Sequence, residues 1–183
     1  MQGWVKGHGD VEATVRHLLE GLLASDAMDA LLVGLRTPDG RNVVPTLVRS
    51  PDLLDRAAPL SPVLPINAGM VLGLVTATGG LGRVGAVLRN CELRTAVELS
   101  KVKQVVLDDV VFIGVDCLGA YRVEDYARMV EQELDPVASA LAIAREGRVE
   151  PLDGFTFRPA CTMCERPIPG EGDSFAPHIT LGL

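Results

Sequence analysis

Two short segments made almost entirely of apolar residues constrain the fold more than any other feature of this chain. Residues 84–88 read VGAVL and residues 110–115 read VVFIGV, without the polar alternation of a strand that faces water on one side. Helical spacing of apolar residues follows each of them, at 92–104 and 123–134. This alternation predicts an α/β fold, in which a mostly parallel sheet is flanked by helices.

The N-terminal third of the chain predicts a helix and a hairpin. Apolar residues recur at helical spacing over 10–24. Two β-rich runs, at 30–35 and 42–48, flank a Thr-Pro-Asp-Gly turn, and Pro45 predicts that the second run lies at an edge of the sheet. Residues 51–65 contain four prolines and are expected to form a loop over the surface.

From about residue 147 the periodic pattern ends, and glycine, proline and turn residues dominate. We therefore divide the chain into an α/β domain, residues 1–146, and an irregular C-terminal segment, residues 147–183, which carries two cysteines. Because this segment offers few apolar residues for a core, we expect it to fold back and to be held by an external staple.

Composition narrows the classes of function. The formal net charge is −7 and there is no basic run, which argues against non-specific binding of nucleic acid. No apolar run reaches the length of a membrane span, and the first ten residues lack the apolar region of a signal peptide. We therefore expect a cytoplasmic protein, in which the four cysteines bind metal or do redox chemistry more readily than they form disulfides.

The four cysteines are placed so that they can meet. Cys91 lies at the turn after the strand 84–88, and Cys117 follows the strand 110–115. Parallel strands end at the same edge of a sheet, where ligands bind. Cys161 and Cys164 form a C-T-M-C motif in the C-terminal segment, and such a loop directs both sulfurs at one metal centre. Four thiolates satisfy one 4Fe-4S cluster, which is the interpretation that we favour.

Two other interpretations of the cysteines stay open at this point. The four thiolates also suit a structural zinc ion, which would make the chain a scaffold or assembly protein without redox chemistry. Cys161 and Cys164 alone could form a thiol redox pair, but C-T-M-C does not open a helix after a strand, where a thiolate is activated.

Three motifs bearing these cysteines resemble the coenzyme F-420 hydrogenase/dehydrogenase beta-subunit family. The motifs are RNCELRTAVELSKVKQ at 89–104, DVVFIGVDCLGAY at 109–121 and RPACTMCERPIP at 158–169. The resemblance runs from about Ser61 to Pro169. It implies an oxidoreductase subunit with one 4Fe-4S cluster at the four cysteines and with FAD. Such a subunit relays electrons between a deazaflavin or nicotinamide carrier and the other subunits of a redox complex. Many relatives carry an additional ferredoxin-type segment, which this chain lacks.

A few further residues are candidates for binding the cofactor. Thr78, Gly79 and Gly80 open a glycine-rich turn whose backbone N–H groups could cradle a flavin pyrophosphate, although an ordinary turn with a glycine C-cap fits equally well. Asn67, at the predicted start of a helix that runs to about residue 76, is a candidate flavin contact. Arg89 is a candidate because its charge can offset that of a bound anionic group.

Overall fold

The computed structural model describes residues 9–77, 79–170 and 175–182. Five strands form one sheet in the order β2-β1-β3-β4-β5, in which β1 and β2 are antiparallel and the other neighbours are parallel. The strands are β1 (Ala30–Arg36), β2 (Val43–Val48), β3 (Val84–Leu88), β4 (Val110–Val115) and β5 (Ile179–Leu181). The helices are α1 (Val11–Ala24), α2 (Ala68–Ala77), α3 (Asn90–Lys101), α4 (Val123–Glu131), α5 (Pro136–Arg145) and α6 (Pro159–Thr162). The predicted α/β fold with a mostly parallel sheet is confirmed.

Helices cover both faces of the sheet, which explains why β3 and β4 are apolar throughout. On one face α1 and α5 pack on the sheet, and Leu19 and Val137 lie in the same buried cluster as Ile113 of β4. On the other face α2 and α3 pack on the sheet, with Leu72 and Leu93 against Phe112. Because neither face of β3 meets water, a polar side chain would be buried at every position, and all five residues of β3 are buried.

The predicted hairpin is present, and β2 is the edge strand that Pro45 indicated. Pro45 pairs with Gly34 in the antiparallel register of β1 and β2. Proline has no N–H to donate to a strand on the outer side of β2. None is needed there, because β2 has no outer neighbour within the described sheet.

The expectation of a surface loop over 51–65 was wrong for its second half. Residues 57–63 are buried, and Ala58, Val63 and Tyr121 belong to a third apolar cluster. The backbone N–H of Tyr121 donates to the carbonyl of Pro62 over 2.8 Å. This segment therefore runs along the chain that leaves β4, instead of lying on the surface.

The C-terminal segment contributes structure of its own. Phe157 is buried against Tyr121, with ring centroids 4.9 Å apart, and the N–H of Leu152 donates to the Tyr121 hydroxyl. At the other end β5 extends the sheet beside β4. The contacts of Phe157 and β5 hold the described part of this segment to the α/β layers.

Candidate metal centre at the carboxyl edge of the sheet

Cys91 and Cys117 lie at neighbouring strand ends. Leu88, the last residue of β3, pairs with Gly114 of β4, so the two strands end side by side. Cys91 is the second residue of α3, and Cys117 is two residues beyond the end of β4. The sequence-based expectation for these two positions agrees with the topology.

Two hydrogen bonds bring the C-terminal cysteine loop to the same edge. The side-chain Nδ2 of Asn90 donates to the carbonyl of Arg166 over 3.1 Å. The backbone N–H of Cys117 donates to the carbonyl of Pro167 over 3.0 Å. The two acceptors, Arg166 and Pro167, lie two and three residues after Cys164. The two donors are Cys117 itself and Asn90, the residue before Cys91. The end of the C-T-M-C loop is therefore fixed beside Cys91 and Cys117.

The beginning of the loop is fixed by Arg158. Its backbone N–H donates to the carbonyl of Ala120 over 2.9 Å, and its guanidinium Nη1 donates to the carbonyl of Leu64 over 2.8 Å. α6 follows directly, and its Cys161 partly packs on the third apolar cluster. With both ends held, the loop cannot swing away from the sheet as a free tail would.

Cys91 lies within range of the charges of Cys117 and Cys161, and Cys117 lies within range of those of Cys161 and Cys164. Desolvation by the surrounding atoms, followed by the charges of Glu92 and Cys117, raises the pKa of Cys91 to about 12, although part of this residue meets solvent. Desolvation also raises the pKa of Cys117, and the charges of Cys161 and Cys164 add to the effect. Mutual repulsion among thiolates is what a bound cation or iron–sulfur centre relieves.

Two groups oppose this rise in the pKa of Cys117. The positive charge of Arg89 lowers it, and so does a hydrogen bond from the backbone N–H of Gly119 to the sulfur. Sequence reasoning did not single out Gly119. Its φ of +85° directs the chain so that this N–H can donate back to the sulfur, a feature that no sequence pattern marked.

The donor set fits an iron–sulfur centre by its chemistry. All four cysteines are free thiols rather than disulfides. Among the residues that the structure describes, no three His, Cys, Asp or Glu side chains stand close enough to hold a single metal ion. Four thiols on three separate pieces of chain are the ligand type and number that a 4Fe-4S cluster requires.

Arg89 and Asn67 also lie at this edge. Asn67 caps α2, because its Oδ1 accepts the N–H of Gly69 over 2.9 Å, and its Nδ2 donates to Thr95 Oγ1 over 3.1 Å. Arg89 and Glu92 line a narrow cleft of about 30 Å³, which is room for about one water molecule. Arg89 is the N-cap residue of α3, and the side chain of Glu92 accepts its backbone N–H.

The glycine-rich turn lies at the opposite edge. Gly79 and Gly80 precede β3, whereas the cysteines follow it, so the length of a strand separates them. The N–H of Gly79 donates to the carbonyl of Thr76, which is the ordinary ending of a helix, and the Asp29 carboxylate accepts the N–H of Arg83 next to the turn. Thr78 lies outside the described residues. As flavin contacts, these three residues stay predictions.

Within the part of the chain that the structure describes, no helix has the length and apolarity to cross a membrane.

Comparison with known proteins finds a curated relative and a solved structure of similar fold. No family model matches the chain. The F420-dependent formate dehydrogenase 1 subunit beta of Methanococcus maripaludis is 24 % identical over 184 residues, which cover 90 % of this chain and 46 % of that protein. A chain of the xenon-derivatised F420-reducing NiFe hydrogenase complex of Methanosarcina barkeri is similar in fold, with a TM-score of 0.52 and 18 % identity, over 64 % of this chain and 41 % of that one.

This chain spans about half the length of the curated relative that it matches. The hydrogenase likeness, at 18 % identity, concerns the fold alone. The formate dehydrogenase subunit supports, at modest identity, what the three cysteine motifs indicated: this chain resembles the coenzyme F-420 hydrogenase/dehydrogenase beta-subunit family.

Proposed function

We propose that this chain is an electron-transfer subunit of an oxidoreductase complex, in which Cys91, Cys117, Cys161 and Cys164 hold one 4Fe-4S cluster. One observation carries the proposal. The hydrogen bonds from Asn90 and Cys117 return the C-T-M-C loop to the strand ends that bear the other two cysteines. A loop that only covered the sheet would have no reason to be fixed at these two donors.

Several residues around the thiols contribute to holding such a cluster. A bound cluster of this kind accepts and releases single electrons. The strand ends and the anchored loop supply the four sulfurs, and the Gly119 N–H donates to one of them. Hydrogen bonds to ligating sulfurs stabilise negative charge there and are one of the means by which a protein adjusts the potential of a cluster.

The descriptions of similar proteins support a proposal about the carrier and the partners. A curated relative is described as an F420-dependent formate dehydrogenase subunit, and a chain of similar fold belongs to an F420-reducing hydrogenase complex. We therefore propose that a deazaflavin is the hydride carrier, with a nicotinamide as the alternative, and that other subunits accept or supply the electrons. A flavin such as FAD suits this step because it takes two electrons as hydride and releases them singly.

FAD rests on the family resemblance rather than on a cavity. The cleft beside Arg89 has a volume of about 30 Å³, far too small for a flavin ring. A flavin bound to this chain would need another site, such as the open pocket of about 580 Å³ between the β1–β2 turn and α4.

The test of the cluster is anaerobic purification followed by reconstitution with iron and sulfide. We expect about four irons per chain, broad visible absorption and, after reduction, an electron paramagnetic resonance signal. Cys117→Ser and Cys164→Ser should each lose most of the iron. Met163→Leu, between the two loop cysteines and exposed, is the matched control and should keep it.

The structural zinc alternative gives a different result in the same experiment. A chain that takes up one zinc and never iron would contradict the cluster. The flavin is tested separately, because its visible bands and its release on denaturation do not depend on iron.

A further inference from the structure

An apolar surface without any charge lies on α2 and on the chain that leaves α3. Residues 57–82 contain no Asp, Glu, Lys, Arg or His, although 22 % of the residues in the chain are charged. Half of the large apolar side chains that are exposed among the described residues belong to this surface. We call them the α2 patch: Ile66, Met70, Leu74, Val102 and Val106. A helix that is apolar on every side is usually buried, which indicates that a partner covers α2.

The α2 patch extends along the whole helix. Met70 and Leu74 are four residues apart on one face of α2, and they are 59 % and 75 % exposed. Ile66 lies just before the start of the helix. At the other end Val106 is held beside α2, because its backbone N–H donates to Thr76 Oγ1 over 3.2 Å. The exposed apolar side chains therefore follow one another from the first turn of α2 to the last.

Two glycines on another side of α2 hold the helix close to α3. A Cβ added at Gly69 would lie 3.0 Å from the backbone nitrogen of Ala96, and a Cβ added at Gly73 would lie 2.9 Å from the carbonyl oxygen of Gln104. The backbone of α2 therefore lies directly on α3 and on the chain that follows it. The patch is thus a preformed surface, and a partner that binds it loses little free energy to the ordering of loops.

The absence of charge favours a protein partner over a lipid surface. Helices that lie on a membrane have a polar face rich in Lys and Arg. All ten residues of α2 (AGMVLGLVTA) are uncharged, so the helix has no such face. The formal net charge of −7 would in addition be repelled by anionic lipid headgroups.

A second copy of this chain fits the patch by charge and by area. Two copies that each carry a net charge of −7 repel one another, and this repulsion is weakest where both surfaces lack charged side chains. Residues 57–82 are the longest stretch of the chain without a charged residue. A specific interface buries about 800 Å² per partner, of which about two-thirds is apolar in homodimers. The five side chains of the patch present on the order of 500 Å², which matches that apolar share.

We propose that the α2 patch is a homodimer interface, in which α2 of one copy packs on α2 of a second copy about a two-fold axis. Such an interface uses the same residues on both copies, so a charge introduced at Met70 or Leu74 enters it twice. The patch contains none of the four cysteines. The dimer is therefore independent of the proposed cluster, and it would bring electron-transfer subunits into a complex in pairs.

The test is sedimentation of the full chain in the analytical ultracentrifuge, from micromolar to near-millimolar concentration. Reductant is present, so that no disulfide joins two copies through their free cysteines. Met70→Glu and Leu74→Glu each place one carboxylate in the patch. Val149→Glu is the matched control, because it adds the same charge at an apolar residue outside the patch that is 52 % exposed. Circular dichroism establishes that each variant is folded.

We expect a monomer–dimer equilibrium for the unmodified chain and for Val149→Glu. Met70→Glu and Leu74→Glu should each raise the Kd of the dimer about a hundredfold, because like charges meet in the interface. If Met70→Glu does not fold, the more exposed Leu74→Glu decides.

A chain that stays monomeric throughout would overturn the proposal and would leave another subunit as the occupant of the patch. A dimer that Met70→Glu and Leu74→Glu weaken no more than Val149→Glu would overturn it as well. The iron content of the same samples tests the proposed function separately. A dimer that never binds iron would defeat only the cluster, and a monomer that binds iron would defeat only the dimer.

Discussion

Gly119 joins the metal centre to the packing of the C-terminal segment. Its φ is +85°, a conformation that L side chains rarely adopt, and a Cβ there would lie 2.5 Å from Cε2 of Phe157. Its N–H also donates to the sulfur of Cys117. One glycine thus permits both the turn of the backbone and the close approach of an aromatic ring.

We predict that Gly119→Ala lowers the free energy of unfolding by about 2–4 kcal/mol, since backbone strain and the displaced ring both contribute. Gly147→Ala is the matched control. Gly147 has a φ of +75°, but a Cβ there would meet nothing within 4 Å. We expect this control to lower the free energy of unfolding by only about 1 kcal/mol. Urea unfolding followed by circular dichroism measures both, and equal losses would show that the ring contact has no influence.

At the scale of single elements, β5 shows how a short strand is held. It has three residues and pairs with β4 over Ile113 to Val115. Just before it, His178 exchanges two bonds with Phe112. The His178 N–H donates to the Phe112 carbonyl, and the Phe112 N–H donates to the ring Nδ1 of His178, each over 3.0 Å. The imidazole thereby takes the place of a backbone acceptor at the start of the pairing.

We predict that His178→Ala increases amide exchange in peptides covering 110–115 and 175–182 and destabilises the protein by about 1 kcal/mol, the usual net value of a hydrogen bond. His17→Ala is the control, because its side chain on α1 is 88 % exposed. Hydrogen exchange read by mass spectrometry makes the comparison. If both variants exchange alike, the ring of His178 does not hold the strand.

For the whole molecule, the question is whether the C-terminal segment folds with the sheet or depends on the metal. The described residues of this segment have a buried anchor at Phe157, a backbone anchor at Arg158 and a strand in the sheet. The staple stays a prediction, and we expect its effect to be largest at the C-T-M-C loop, where Cys164 is exposed and Cys161 half-buried.

We predict that the metal-free protein is cut by protease only within 160–166, whereas Phe157→Ala opens the chain from about residue 150 onward. Truncation of a buried phenylalanine costs about 3–5 kcal/mol, a large part of the stability of a domain. Leu53→Ala, at an exposed leucine, is the control and should leave the cutting pattern unchanged. Cutting near residue 150 in the unaltered metal-free protein would instead support the staple.

The fold could be predicted from the sequence wherever a pattern of neighbouring residues determines the structure. The apolar runs of β3 and β4 determined the parallel sheet, because only strands buried on both faces lack polar alternation. Pro45 determined the edge strand. The meeting of Cys91 and Cys117 followed from the rule that parallel strands end at one edge. Each of these conclusions needs only neighbours in sequence and one topological rule.

The sequence alone thus determined the sheet, its helices and the edge at which the cysteines lie. Only the tertiary structure decided how the site is completed: Arg158 reaches a carbonyl 94 residues away, Asn90 one 76 residues away, and Arg89 two about 26–28 residues away. The physical reason is that backbone carbonyls are identical at every residue. No side-chain pattern marks the carbonyl that a distant donor will find, so these partners exist only once the layers have packed.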